Sequence, residues 1–178
     1  MKSRGLGDSI AKKQIMAYQK LQVGLAADVI PSDTIDIPLP SSENLVGATT
    51  STTASKLDDT NVDFTTIQAL SVGAIVVNTD TLTIATVTAV DSAHILSLSA
   101  DIFVAPGFGE NYIIYLDPTA NHSEGCILYV GAVGDVKVRT TSGSEVTYVG
   151  VNAGSWMPVQ VIKVFATGTT ATNIIANW

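Results

Sequence analysis

The sequence has a single cysteine, few charged residues and no long apolar run. Cys126 has no partner for an internal disulfide, so the fold must rest on packing alone. Charged residues make up 14% of the chain, which is well below the roughly 25% of an average soluble domain. No apolar run reaches the roughly 18 residues that a transmembrane helix needs, so we expect no membrane association. Lysines interrupt the first apolar stretch, so we expect no secretory signal either.

What the sequence does contain is typical of β-structure. Hydrophobic residues make up 46% of its 178 residues, enough for one domain or two small ones with a real core. A lone soluble monomer usually carries more charge than this chain does. Low charge combined with abundant Val, Thr, Ala and Gly therefore indicates a β-protein that shares surface with neighbouring chains.

The charge is distributed unevenly along the chain. Residues 1–20 contain five basic residues and one acid, a net charge of +4, whereas residues 21–178 contain four basic residues and 15 acids, a net charge of −11. The spacing of apolar and basic side chains in residues 8–25 predicts one amphipathic helix, which begins at Asp8 or Ser9. Its apolar stripe must pack either on its own body or on a partner, and the pattern leaves both open. The candidate partner-contact residues of this basic arm, residues 1–27, are Lys2, Arg4, Ile10, Lys12, Lys13, Ala17, Lys20 and Leu21.

The remainder predicts strands. Three prolines in residues 31–40 favour extended chain, and residues 47–55 read as a connector or a loosely held strand. β-branched runs then predict strands at 72–78, 82–90, 94–100 and 111–116, followed by two hairpins and two further strands from residue 126 onward. Alternation places Val136 and Val138 on a buried face, with Val146 and Tyr148 completing that face across the turn.

Several short motifs resemble one family. The stretches "LYVG", "GDVKV", "VTYVGVNAGSWMPVQV" and "VFATGTTATNIIANW" resemble the C-terminal part of head-spike base proteins of phages and gene transfer agents, and "PSDT" at 31–34 fits the opening of that family. Residues 56–116, with "VGAIVVN" and "LSLSADIF", resemble a small β-module of phage structural proteins. The resemblance implies an all-β fold with two small sandwich or barrel modules, in which residues 56–116 are inserted into a domain formed by 28–55 and 117–178.

No residue pattern predicts catalysis, a metal site or a cofactor. Asp59, Asn61 and Asp63 have the alternate spacing that opens a calcium loop, but Phe64 and Leu70 stand where that loop needs Gly and Glu. His122 and Cys126 are four residues apart in a stretch that reads as loop entering strand, and two ligands do not make a site. We therefore expect that the protein is not an enzyme.

The resemblance implies a virion structural protein on the phage head: a spike or fibre base or a capsid decoration protein. It would be made in the bacterial cytoplasm, attach to the capsid or other virion proteins through its arm, and form a homo-oligomer, either a trimer or a pentamer. Nucleic acid is not an expected partner, because the body is acidic. The alternative is a receptor- or glycan-binding module of a fibre, which would use loops 78–81, 91–94 and 105–111 and a groove lined by Phe108 and Tyr112.

Overall fold

The computed structural model describes residues 24–40, 44–104, 108–116 and 125–178, and it is nearly all β. The all-β prediction is thus confirmed, with two antiparallel sheets of six strands each, one of which curls into a half-barrel. The predicted helix of the basic arm lies outside the described residues, apart from its last two positions. In chain order the strands are β1 (Ala26–Asp28), β2 (Leu45–Ala48), β3 (Lys56–Asp58), β4 (Ile75–Asn78), β5 (Thr83–Val90), β6 (Ile95–Leu98), β7 (Asn111–Tyr115), β8 (Cys126–Val130), β9 (Gly134–Thr140), β10 (Glu145–Val151), β11 (Ser155–Val164) and β12 (Ile174–Asn177).

The chain order shows one sheet inserted into the other. The first sheet has the order β1-β12-β8-β11-β9-β10, and the second has the order β2-β7-β4-β5-β6-β3. The chain therefore forms β1 and then the whole second sheet before it returns to the first.

The strand β2 belongs to the second sheet, whereas the predicted domain boundary groups it with the strands of the first. Residues 28–55 were expected to accompany residues 117–178, but β2 pairs with β7 of the second sheet, where Gly47 lies opposite Tyr112. A bridge between Ser51 and Asp58 joins the same sheet. Because β2 has only four residues, two of them Gly and Ala, its sequence pattern is too weak to show which sheet it joins.

Each sheet has its own core. In the first sheet the buried side chains are those of Ile37, Cys126, Leu128, Val130, Val136, Val138, Met157, Val161, Val164, Ala171, Ile174 and Ala176. In the second they are those of Leu57, Phe64, Ala74, Val76, Ala85, Val87, Leu96, Leu98, Ile102, Phe103, Tyr112 and Ile114. The predicted alternation in β9 is confirmed, since Val136 and Val138 are fully buried.

The segment from residue 29 to residue 40, the linking segment, lies between the two sheets. Its backbone bonds to β11, where the N–H of Ser32 donates to Val164 O at 2.9 Å and that of Ile37 to Ile162 O at 2.8 Å. Ile30 and Ile35 pack on a third buried cluster on the second sheet, formed by Ile75, Val77 and Tyr115. The proline-rich stretch is therefore extended, as expected, and serves as the packing layer that joins the sheets.

Candidate interaction surface

The candidate partner-contact residues of the basic arm lie outside the described residues. The structure therefore gives no geometry for Lys2, Arg4, Ile10, Lys12, Lys13, Ala17, Lys20 or Leu21. Their role in attachment stays a prediction from the charge and stripe pattern. The other candidate sites lie among the described residues of the two sheets, which together form the β-body.

The turn with calcium-like spacing is used inside the fold. Asp59 is buried, and its carboxylate accepts hydrogen bonds from the Tyr112 hydroxyl at 2.7 Å and the Asn61 N–H at 2.9 Å. Asp63 instead caps a short 3-10 helix at Phe64–Thr66, accepting from the N–H of Thr65 at 3.0 Å. The two carboxylates thus have separate structural roles, since Asp59 links the turn to β7 and Asp63 caps the 3-10 helix.

Cys126 is a core residue. Its thiol is buried against β11, with Sγ 3.4 Å from the carbonyl oxygen of Val161, and burial raises its pKa to about 12. A thiol with so high a pKa is a poor nucleophile at neutral pH, because the thiolate is the reactive form. His122, its predicted neighbour in the rejected metal pair, lies outside the described residues.

His94, the one histidine among the described residues, is also structural. The His94 ring lies 2.7 Å from the carbonyl oxygen of Val62, through Nδ1. Among residues 24–40, 44–104, 108–116 and 125–178, no three His, Cys, Asp or Glu side chains gather as a metal site would require.

The groove of the fibre-tip alternative is not formed by its two named aromatic residues. Phe108 is 73% exposed, whereas the side chain of Tyr112 is fully buried and faces Asp59. Burial, together with the adjacent Asp59 carboxylate, raises the pKa of Tyr112 far above its usual range. Tyr112 is therefore part of the core of the second sheet and is not available to a ligand.

The segment that carries "PSDT" is fixed to the first sheet by side chains as well as by its backbone. The carboxylate of Asp33 accepts hydrogen bonds from the N–H of Thr167 at 3.0 Å and from its hydroxyl at 2.7 Å. Both bonds hold the pKa of Asp33 below its ordinary value. The tip of the linking segment is thus bound to the loop that follows β11.

A buried lysine adds a second attachment to this segment. Lys163 on β11 is 4% exposed, and its Nζ lies 3.0 Å from Asp36 Oδ1 and 5.9 Å from the ring centre of Phe165. A lysine ammonium is rarely buried without an opposite charge. The signal in the sequence was a single lysine inside the apolar run "VIKVF", whose partner only the fold reveals.

A groove of about 320 Å³ opens beside the linking segment, on the face of the second sheet against which Ile30 and Ile35 pack. Its walls are mostly apolar and come from β1, the linking segment and strands β4, β5 and β7. The lining residues include Ile30, Val77, Ile84, Ile113 and Tyr115. Asp28 is the single ionisable carboxylate among its described lining residues.

The first sheet also presents apolar side chains at the surface. Trp156 is 54% exposed and packs edge-on against Tyr129 on the neighbouring strand, with ring centres 5.4 Å apart. Its neighbour Met157 is buried. On the edge strand β10, Val146 and Val149 are exposed as well. Exposed valines on a sheet edge and aromatic rings at the surface, here on the interior strands β8 and β11, are features of interaction surfaces.

None of the described helical structure is long and apolar enough to cross a membrane. No family model, curated protein or solved structure matches this chain.

Proposed function

We propose that this protein is a structural component of a phage virion, a base for a head spike or fibre or a capsid decoration protein. In this proposal the β-body forms a homo-oligomer on the capsid surface, and the basic arm attaches it to the capsid or to another virion protein. Synthesis takes place in the cytoplasm of the bacterial host. Repeated weak contacts then add up through the symmetry of the assembly.

One observation carries the proposal. Two of the motifs on which the resemblance rests, "PSDT" and "VFATGTTATNIIANW", meet in the first sheet although they are far apart in the chain. Asp33 and Thr167, 134 positions apart, share two hydrogen bonds, and Ser32 bonds to the backbone of Val164. Segments that are adjacent in space despite a long insertion between them support a spike-base-like domain that has acquired a second module.

The test is attachment of the purified full-length protein to capsids. We expect it to co-sediment with heads of the phage that encodes it and to form an oligomer by light scattering. Reversing the charge of Lys2, Lys12, Lys13 and Lys20 to Glu should weaken attachment about tenfold or more, because each surface ion pair contributes up to about 1 kcal/mol. The oligomer mass should not change.

The matched control replaces the same four lysines by Arg, which keeps the charge and should keep attachment. Failure of the wild-type protein to bind heads would contradict the virion role. Equal binding of the Glu and Arg variants would contradict the role of the arm, and a monomeric wild-type protein would contradict the assembly.

A further inference from the structure

The strand β10 differs from the other three strands at sheet edges. β1 and β3 have three residues each and β2 has four, whereas β10 has seven. Short strands and charged side chains are the usual means by which proteins protect sheet edges. β10, with the sequence EVTYVGV, has a single charged residue and no Lys or Pro. It therefore presents a row of backbone groups suited to pairing with another strand.

The inward face of the first sheet is incomplete at β10. Val146 lies opposite Val138, and Tyr148 lies opposite Val136. Both partners on β9 are fully buried, but Val146 is 39% exposed because none of the described strands lies beyond β10 in this sheet. A further strand placed beside β10 would cover this apolar side chain.

The single charge of the strand is neutralised within its own chain. Glu145 lies 2.7 Å from Arg139 and 3.8 Å from Lys137, measured between the charged groups. Arg139 holds the pKa of Glu145 below its ordinary value. A partner strand would therefore meet no unpaired charge along β10.

A bulge limits the regular part of the edge. The register of β10 against β9 shifts between Tyr148 and Val151. The bulge is fixed by Asp135, whose carboxylate accepts the N–H of Gly150 at 2.8 Å, and Gly150 has a φ of 63°. Bulges interrupt ladders, so only the portion up to about Val149 can pair regularly.

We propose that β10 pairs antiparallel with β10 of a second copy, across a two-fold axis that passes beside Thr147. This inference rests on the homo-oligomer of the proposed function. Directly opposite residues of an antiparallel pair share one face, so a two-fold axis normal to the sheet must pass at a residue and not between two. With the axis at Thr147, Val146 lies opposite the partner's Tyr148, and Glu145 opposite the partner's Val149.

This register is self-complementary. It forms two pairs of a β-branched with an aromatic residue on the inward face and one Thr–Thr pair on the outward face, both of which are favourable combinations. Glu145 does not lie opposite Glu145 of the second copy, so the register brings no like charges together. The interface is small, below the roughly 1,200 Å² typical of stable complexes, so a concentration-dependent dimer is expected. The oligomer is then even-numbered, in contrast to the trimer or pentamer expected from the resemblance.

The first experiment uses opposite charges at Thr147 in the full-length protein. Thr147 is exposed and lies opposite Lys137 within its own sheet, so Thr147→Glu should leave the monomer folded. Two like charges at the axis should weaken the dimer about tenfold or more, because juxtaposed like charges cost several kcal/mol. Thr147→Lys should do the same, and a mixture of the two variants should form a heterodimer. Sedimentation velocity over a range of concentrations measures each case, with circular dichroism to confirm folding.

The second experiment is a crosslink. Thr147→Cys places two thiols opposite each other at the axis, so mild oxidation should give a covalent dimer. Val46→Cys on edge strand β2, where Val46 is 66% exposed, is the matched control and should not crosslink. Cys126 does not interfere because it is buried.

The outcomes separate the two proposals. A monomeric wild-type protein would overturn the assembly and this interface together. An oligomer that is indifferent to both charge variants and gives no Thr147→Cys crosslink would overturn the β10 interface alone. Loss of both homodimers with recovery in the mixture would establish it.

Discussion

At the scale of single residues, the Tyr112 hydroxyl joins three strands of the second sheet. It donates to Asp59, which follows β3, while Tyr112 itself lies on β7 opposite Gly47 of β2. A Cβ built on Gly47 would overlap the Tyr112 hydroxyl and approach Asp59 Oδ2. Gly47 is therefore required by the close approach of a buried hydrogen-bonded pair.

Replacing this glycine should destabilise the fold. We expect Gly47→Ala to lower the free energy of unfolding by about 1–3 kcal/mol, the usual cost of overpacking a tight core. Urea denaturation followed by circular dichroism measures the change. Gly24→Ala is the control, because a Cβ there meets nothing within 4 Å. An equal effect of both substitutions would show that space at Gly47 is not the cause.

Asp33 makes the free energy of unfolding depend on pH in the acid range. The two hydrogen bonds from Thr167 hold its pKa below 3.8, so the folded state binds its proton less readily than the unfolded chain does. The resulting stabilisation is complete above pH 3.8 and is lost as pH falls through the lower pKa of the folded state.

We therefore expect Asp33→Asn to reduce the loss of stability between pH 5 and acid conditions. The free energy of unfolding of wild type and variant should differ most at pH 5 and converge once the pH falls below the lowered pKa of folded Asp33, because Asp33 is then protonated in both states of the wild type. Urea titrations at several pH values measure this convergence. A constant difference across the range would contradict it.

At the scale of elements, the attachments of the linking segment include an ion pair of which only the lysine is buried. Lys163 is almost fully enclosed, whereas the side chain of Asp36 is 40% exposed. The two partners are therefore not equivalent. Removing the lysine leaves a carboxylate that is partly exposed to water, although its Oδ1 is buried. Removing the carboxylate leaves a buried ammonium group that keeps the Asp33 carbonyl oxygen at 3.5 Å but has lost its counter-charge.

This asymmetry predicts unequal effects. Asp36→Ala should lower the free energy of unfolding by about 3 kcal/mol, because an uncompensated buried charge is strongly destabilising. Lys163→Met, which keeps the volume and removes the charge, should be much milder. Chemical denaturation of both variants measures the difference, and a larger loss for Lys163→Met would contradict the assignment.

At the scale of the whole molecule, the described residues couple the two sheets through the linking segment. Ile30 and Ile35 of the linking segment pack on the cluster of Ile75, Val77 and Tyr115, while each sheet keeps a separate core. Cooperative unfolding of the two sheets thus depends on the packing layer that Ile30 and Ile35 form against the second sheet. The same layer borders the apolar groove.

Weakening this layer should separate the unfolding of the sheets. We expect Ile30→Ala to cost about 2 kcal/mol or less, since Ile30 is only partly buried, and to broaden or split the calorimetric transition. Val72→Ala, at a residue 64% exposed, is the control. A single sharp transition shifted in temperature alone would show that the sheets remain coupled.

Local patterns in the sequence predict the fold class and most of the strands from β4 onward. β-branched runs separated by turn residues specify strands locally, and the alternation around Val136 and Val138 specifies which face is buried. The turn at Asn78 is an example: its side-chain oxygen accepts the N–H groups of Asp80 and Thr81. Such interactions span only a few residues, which is why a local pattern records them.

The roles of the short strands and of the polar pairs follow from long-range packing and not from local patterns. β1, β2 and β3 have three or four residues each, too few for a periodic pattern, and their sheet is chosen by pairing with distant strands. Asp59 with Tyr112, Asp36 with Lys163 and Asp33 with Thr167 are likewise pairs of residues far apart in the chain. A sequence shows which side chains need a partner when buried, but the partner is selected by the way the chain packs.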